Sequence, residues 1–134
     1  MHRSNPNQLK SLDECRSCLL DFFEKKENVA VLTGAGISVG SGIPSYRNAK
    51  GEWKAGQPIS HQDFVGKESA RQRYWLRSYA GWRKVSEAKP SKAHLALQRL
   101  QAEEKISTII TQNVDRLHQS AGSKNVLDLH GRLD

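Results

Sequence analysis

The stretch Val29-Ala-Val-Leu-Thr-Gly-Ala-Gly-Ile-Ser-Val-Gly-Ser-Gly-Ile-Pro-Ser-Tyr-Arg47 decides the fold. It opens as an apolar, β-branched run and ends abruptly in glycines. A buried parallel strand hands over to a phosphate-binding loop in this way. Gly34, Gly36, Gly40 and Gly42 remove Cβ atoms where a backbone turns sharply or approaches a ligand closely. The amides that open the following helix then face an anion. The spacing is G-x-G-x-x-x-G-x-G, not the dinucleotide pattern G-x-G-x-x-G. Taken alone, the glycines fit an ordinary glycine-rich βα turn equally well.

Outward from this stretch the chain alternates. Toward the N-terminus, Ser11-Leu-Asp-Glu14 is a capping box. Leu12, Cys15, Leu19 and Phe22 follow at helical spacing and predict a helix over about 11–26. Asn28–Thr33 is the first predicted strand, apolar enough to be buried on both faces. A short helix near 37–41 follows the glycines. Residues 44–62, with Pro44, Gly51, Gly56 and Pro58, read as loop. Beside a phosphate loop this is a natural lid, carrying Arg47 and Trp53. Helices are predicted over 67–83 and from Pro90, the latter with His94, Leu97 and Leu100 on one face. Ile106–Thr111 is the second strand, Val114–Ser120 a short helix stopped by Gly122, and Asn125–Leu129 a third strand. The order strand, long helical crossover, strand, short helix, strand implies an α/β fold with a doubly wound parallel sheet. Ligands of such sheets sit outside the carboxyl ends of the strands. Gly34, the segment Gln112–Asp115 and His130 follow three such ends, so the pattern gathers them at one crevice.

Composition narrows the class. The 134 residues make one domain's worth of chain. No apolar run approaches the about 20 residues of a membrane span, and Met1–Gln8 lacks a signal-peptide core. The expectation is a soluble intracellular protein, cytoplasmic, or mitochondrial if eukaryotic, without a membrane partner. The net charge is +7. Much of the excess lies in Lys67, Arg71, Arg73, Arg77, Arg83 and Lys84, interleaved with Tyr74, Trp75, Tyr79 and Trp82. Stacking on nucleic acid is one reading of that segment. An amphipathic helix with aromatics facing in and arginines facing out is the preferred one, so a direct nucleic-acid partner is not expected. Cys15 and Cys18 cannot complete a four-cysteine zinc site and read as core or surface thiols, leaving no metal site in this chain. His94 and His118 read as packing or surface residues, and His61 carries no reading.

Three blocks carry a family resemblance. Gly34-Ala-Gly-Ile-Ser38 with Ser41-Gly-Ile-Pro-Ser-Tyr-Arg47 resembles the GAGxS…GIPxFR signature of sirtuins, the NAD-dependent protein deacylases. Thr111-Gln-Asn-Val-Asp115 resembles their TQNxD motif, and Leu129-His130-Gly131 their HG motif. The resemblance runs from about Val29 to Asp134 and covers the first half of a family catalytic core. It implies residues 29–134 as a partial NAD-binding catalytic domain of Rossmann-like fold, preceded by an N-terminal helical region over 1–28. The family's zinc module, two C-x-x-C pairs, comes after the HG motif, so zinc is expected only in a C-terminal half beyond this chain. A three-stranded parallel sheet exposes edges and apolar faces, which points to a fragment with weak or no activity alone.

Cleaving NAD at its ribose–nicotinamide bond makes definite demands. Gly34, Ala35, Gly36 and Arg47 can supply the amides and cation that a pyrophosphate needs. Asn113 and Ser38 suit ribose hydroxyls, Asp115 suits the carboxamide, and Gln112 sits in the same block. His130 is the candidate base, because an imidazole has the nearest pKa for taking a ribose proton. The resemblance assigns the same roles, with Ala35, Ile43 and Tyr46 shaping the nicotinamide pocket. It implies that an acyl-lysine oxygen attacks the ribose carbon and that the acyl group passes to ADP-ribose with release of nicotinamide. An acyl-lysine protein or peptide would be the partner. With the resemblance set aside, capping of the helix at 114–120 is the preferred reading of Asn113 and Asp115. Ser45 stands where the family usually has Asp, and Tyr46 where it has Phe. Arg71-Gln-Arg-Tyr-Trp75 with Gly81-Trp82 looks most like the class II branch that contains sirtuin-4. That branch suggests Tyr74 and Arg77 as partners for a distal acyl carboxylate. The alternatives are a non-catalytic NAD- or ADP-ribose-binding remnant, an ADP-ribosyl transferase, and, less favoured, a basic nucleic-acid-associated module.

Overall fold

The computed structural model describes residues 11–48, 50–54 and 57–133. Met1–Lys10 of the N-terminal helical region and Gly56 of the loop lie outside the described residues. Helix α1 is Leu12–Lys25, and its predicted capping box is present: Ser11 Oγ accepts the Glu14 N–H at 3.2 Å, and Glu14 Oε2 accepts the Ser11 N–H at 2.9 Å. Strand β1 spans Val29–Thr33, and a 3₁₀ turn follows over Ala35–Ser41. Helices α2 (His61–Gly66), α3 (Glu68–Ser86) and α4 (Lys92–Ala102) form the crossover to β2 (Ile106–Thr111). The four-residue α5 (Leu117–Ser120) leads to β3 (Val126–Asp128). No helix among the described residues is long and apolar enough to cross a membrane.

The strands form one parallel sheet in the order β1-β2-β3. Its register lines up the strand ends. Thr33 pairs with Thr111, and Thr111 with Asp128, so the three ends lie in one row. The ladder continues one residue further, where the Gln112 N–H donates to Thr33 O at 3.0 Å and the Leu129 N–H to Thr111 O at 2.9 Å. Gly34, Gln112 and Leu129 therefore leave the sheet side by side.

One face of the sheet is packed. Helix α4 lies against β2, α5 and the 3₁₀ turn, enclosing Ile106, Ile109 and Leu117. The same interior holds Ser38, Ser91, His94, Thr111, His118 and Ser123, all buried. The core is thus unusually polar, and the polar groups lie next to the strand ends.

Several expectations need correction. Strand β1 is not covered on both faces: burial alternates along it, and Leu32 is 63% exposed. Leu127 of β3 is 54% exposed on an open side, because α4 covers only the opposite side of the sheet. The aromatics of α3 face out rather than in, with Trp75 62%, Tyr79 86% and Trp82 49% exposed. Trp75, Tyr79 and Trp82 sit at i, i+4 and i+7, one stripe of the helix. The least exposed positions of α3 are smaller residues, with Ala70 fully buried and Gly81 and Val85 half-buried. Tyr74 reaches back to Phe64 of α2, its ring edge-on at 5.0 Å. The loop expected through residue 62 ends earlier, because Ser60 caps α2 by accepting the Asp63 N–H at 3.0 Å. Helix α5 begins three residues later than expected, because Arg116 takes a left-handed backbone (φ +62°) that no helix accommodates.

Candidate functional site

The glycine loop and the two neighbouring strand ends build a connected polar cluster. Gly34 leaves β1 extended, and the 3₁₀ turn is closed by Gly42 at φ +84°. The left-handed Gly42 turns the chain back so that the Ile43 N–H donates to Ser38 O at 3.2 Å, while the Gly42 N–H donates to Val39 O at 3.0 Å. Gly40 is small for another reason: a Cβ there would come within 3.2 Å of the Ser91 Cβ, where the N-cap of α4 presses on the turn.

Ser38 is the hub of the cluster and is 1% exposed. Its hydroxyl donates to Asp115 Oδ2 at 2.7 Å and accepts from Asn113 Nδ2 at 3.0 Å. Asn113 Nδ2 also donates to Gly34 O at 3.2 Å. A carbonyl can only accept, which settles the amide's orientation and directs each proton in the chain. Asp115 Oδ1 accepts the Leu117 N–H at 3.0 Å, so this carboxylate also anchors α5. The capping role that competed with ligand binding at Asp115 is thus real. A carboxylate oxygen has two acceptor sites, and each Asp115 oxygen keeps one beyond these bonds.

His130 stands in the turn after β3 and is exposed. Its Nδ1 lies 3.1 Å from Gln112 O. The carbonyl accepts, so Nδ1 carries the proton and the Nε2 lone pair is the basic one. The Gln112 side chain reaches across the strand ends, its Oε1 3.6 Å from where a Cβ on Gly34 would stand.

The loop residues are arranged differently from the strand-end groups. Arg47 forms an isolated antiparallel bridge with Trp53, its guanidinium 4.1 Å above the indole. It also donates to Gly51 O at 3.2 Å, so both contacts stay within its own loop. Ser45 Oγ donates to Arg47 O at 2.8 Å and accepts from Lys54 Nζ at 3.0 Å, tying the loop across its base. Tyr46 is 64% exposed, while Ala35 and Ile43 are half-buried beside the turn. The structure therefore joins Gly34, Ser38, Asn113 and Asp115 in one hydrogen-bonded cluster, holds His130 on the Gln112 carbonyl at the neighbouring strand ends, and leaves Tyr46 and Arg47 in the loop that follows the turn.

Behind the cluster lie two histidines for which sequence reasoning finds only packing or surface roles. His94 and His118 are 0% and 1% exposed, with ring centroids 4.7 Å apart. His118 Nε2 is 2.9 Å from Thr33 Oγ1. His94 Nδ1 accepts the Ser91 N–H at 3.1 Å, which places the His94 proton on Nε2. Burial holds both imidazoles below their ordinary pKa. For His118 the value falls to about 4, with His94 lowering it further and Asp115 and Asp128 opposing. Asp128 is itself fixed by Arg116 Nη1 at 3.0 Å and Gln119 Nε2 at 3.0 Å. The one local signal is Ser91-x-x-His94, a capping box with His in the Glu position.

A parallel sheet whose aligned strand ends gather a glycine loop, an Asn–Ser–Asp cluster and a histidine with a bare nitrogen is a Rossmann-like α/β unit. Residues 34–134 match the Sir2 family, and the chain belongs to it. An NAD-dependent protein deacetylase of Bradyrhizobium diazoefficiens is 53% identical over 116 residues, 87% of this chain and 42% of the relative. Another, from Pseudomonas syringae pv. tomato, is 48% identical over 125 residues, 91% of this chain and 44% of the relative. The chain thus spans well under half the length of these curated relatives. Among solved structures, a Sir2–p53 peptide–NAD+ complex superposes with a TM-score of 0.74 at 35% identity, over 92% of this chain and 47% of that one. A Sir2 crystal structure with the inhibitor EX-527, 2'-O-acetyl-ADP-ribose and deacetylated p53 peptide gives 0.73 at 36% identity, over 88% and 46%.

Proposed function

We propose that the strand-end crevice binds NAD and serves the NAD-dependent removal of acyl groups from protein lysines. The observation that carries this reading is the His130–Gln112 contact: a solvent-facing imidazole held by its Nδ1, with Nε2 presented as base beside the cluster. NAD, when bound, supplies the ribose carbon that takes the acyl oxygen, with nicotinamide as the leaving group. The amides of Gly34, Ala35 and Gly36 bind pyrophosphate at the start of a 3₁₀ turn, where the first N–H groups have no intrahelical partner. Arg47 joins them if its loop folds inward from Trp53. Ser38, Gln112 and Asn113 orient ribose hydroxyls, and the unused acceptor sites of Asp115 orient the carboxamide. Ala35, Ile43 and Tyr46 wall the nicotinamide pocket. His130 Nε2 takes the proton of a ribose hydroxyl, which general-base catalysis values at about 10²–10⁴ in rate.

The test is formation of deacylated peptide and O-acyl-ADP-ribose from NAD and an acyl-lysine peptide, for wild type and His130→Ala. Acyl transfer that drops at least about a hundredfold in the variant is the expected result. Equal acyl transfer by both proteins removes His130 from the chemistry. NAD binding without turnover leaves the chain as a binder of NAD or ADP-ribose.

The finer assignment to a class II, sirtuin-4-like branch rests on Arg71-Gln-Arg-Tyr-Trp75 and Gly81-Trp82. In it, Tyr74 and Arg77 of α3 meet an acidic acyl chain. Arg77→Ala then impairs glutaryl-type peptides more than acetyl ones, and equal losses on both sink the assignment.

A further inference from the structure

We infer that the buried His94–His118 pair is a latch that holds the glycine loop, from behind, in the conformation that receives the nucleotide. The inference rests on the reading of that loop as the NAD site. The two rings come from different elements, α4 and α5, and meet edge-on at 4.7 Å beneath the loop. Each reaches one end of the short segment offered to the ligand. His118 Nε2 bonds the Thr33 hydroxyl at 2.9 Å, on the residue immediately before Gly34. His94 acts through Ser91, whose N–H donates to His94 Nδ1 at 3.1 Å and whose Oγ donates to Ile37 O in the 3₁₀ turn at 3.1 Å. Thr33 and Ile37 bracket Gly34–Gly36, so one two-ring unit ties down both ends of that segment. Ser91 also backs the turn directly, at the close approach to Gly40. The latch extends to the other wall of the crevice, because α5 starts at Leu117, whose N–H is held by Asp115.

Packing alone does not account for imidazoles here. His94 Nε2 and His118 Nδ1 are buried with no hydrogen-bond partner among the described residues. Buried polar atoms left unpaired disfavour the fold relative to an apolar side chain of similar size. What leucine or phenylalanine lacks is the directed contact to Thr33 and to Ser91. The rings thus carry a cost to stability whose return is the position of the loop. Both are positioning residues, since neither reaches the crevice itself.

The experiment compares the full chain with Thr33→Val, His118→Leu and His118→Gln by amide hydrogen exchange and NAD titration calorimetry. Thr33→Val removes one hydroxyl at a half-buried strand end and spares the fold if His118→Leu does not. Gln can place its amide nitrogen near the imidazole Nε2 position. Thr33→Val and His118→Leu are expected to speed exchange of the amides over 34–38 about tenfold, with Ile109 and Ile110 unchanged. NAD affinity should weaken about tenfold in parallel, and His118→Gln should recover most of both losses. Uniform loss of protection across the sheet, no change at the loop, or a loosened loop with unaltered NAD affinity overturns the latch. A wild type that takes up no NAD defeats the functional reading instead, and the exchange data, with rescue by Gln, then decide the latch alone.

Discussion

Removing the Ser38 hydroxyl takes out the hub of the strand-end cluster. Ser38→Ala deletes the 2.7 Å bond to Asp115 Oδ2 and the acceptor for Asn113 Nδ2 at 3.0 Å. A hydrogen bond to a charged group contributes about 1.5–3 kcal/mol, and a neutral one about 1. Two features reduce the loss. Asn113 keeps Gly34 O, and Asp115 keeps the Leu117 N–H and is only half-buried. The net cost is then about 2 kcal/mol, and for a chain of 134 residues this lowers Tm by about 7 °C. The assay is thermal unfolding followed by far-ultraviolet circular dichroism. Ser41→Ala is the matched control, because the Ser41 Oγ is buried in the same turn without a hydrogen-bond partner among the described residues. It should leave Tm unchanged or slightly raised. If Ser38→Ala melts within about 2 °C of Ser41→Ala, the cluster does not hold the loop to the second strand end, and the reasoning fails.

Acid should weaken the fold through His118. The unfolded chain takes up that proton near 6.5 and the folded one only near about 4, so stability is full above the former and falls as pH drops toward the latter. Between about pH 7 and pH 5 the loss through this one group is about 2 kcal/mol. Urea unfolding should show His118→Gln losing less over that interval than wild type, and identical pH slopes contradict the assignment. Gly42→Ala places a Cβ in open space but at φ +84°, so it should cost about 1 kcal/mol by backbone strain alone. An unchanged urea midpoint would show that the turn relaxes around it.

The strands and main helices are legible in the sequence because their signals are local. Ser11-x-x-Glu14 caps α1 as its spacing predicts, and the apolar runs before Gly34 and Gln112 are β1 and β2. Their parallel pairing puts the glycine loop, Gln112 and His130 beside one another, as the strand–helix order implies. What escapes is non-local. Helix α3 has aromatic and small residues on different sides, and periodicity cannot say which side a neighbour covers. Ala70 is the buried position, and Trp75 and Tyr79 stay outside. Arg116 gives no sign of its left-handed backbone, so the start of α5 is misplaced by sequence pattern alone. Ser38, Asn113 and Asp115 suit a ligand one by one, whereas in the fold they first bond one another across the strand ends. The tautomer of His130 and the His94–His118 contact depend on groups 18 and 24 residues away in sequence, beyond any motif.

The central claim is that three strand ends form one NAD crevice. An amide NMR titration of the chain with NAD tests it most directly. The account predicts that amides over 34–38, 112–115 and 129–131 shift together and saturate with a single Kd. Shifts confined to the basic face of α3, or no saturable shift at all, would contradict it.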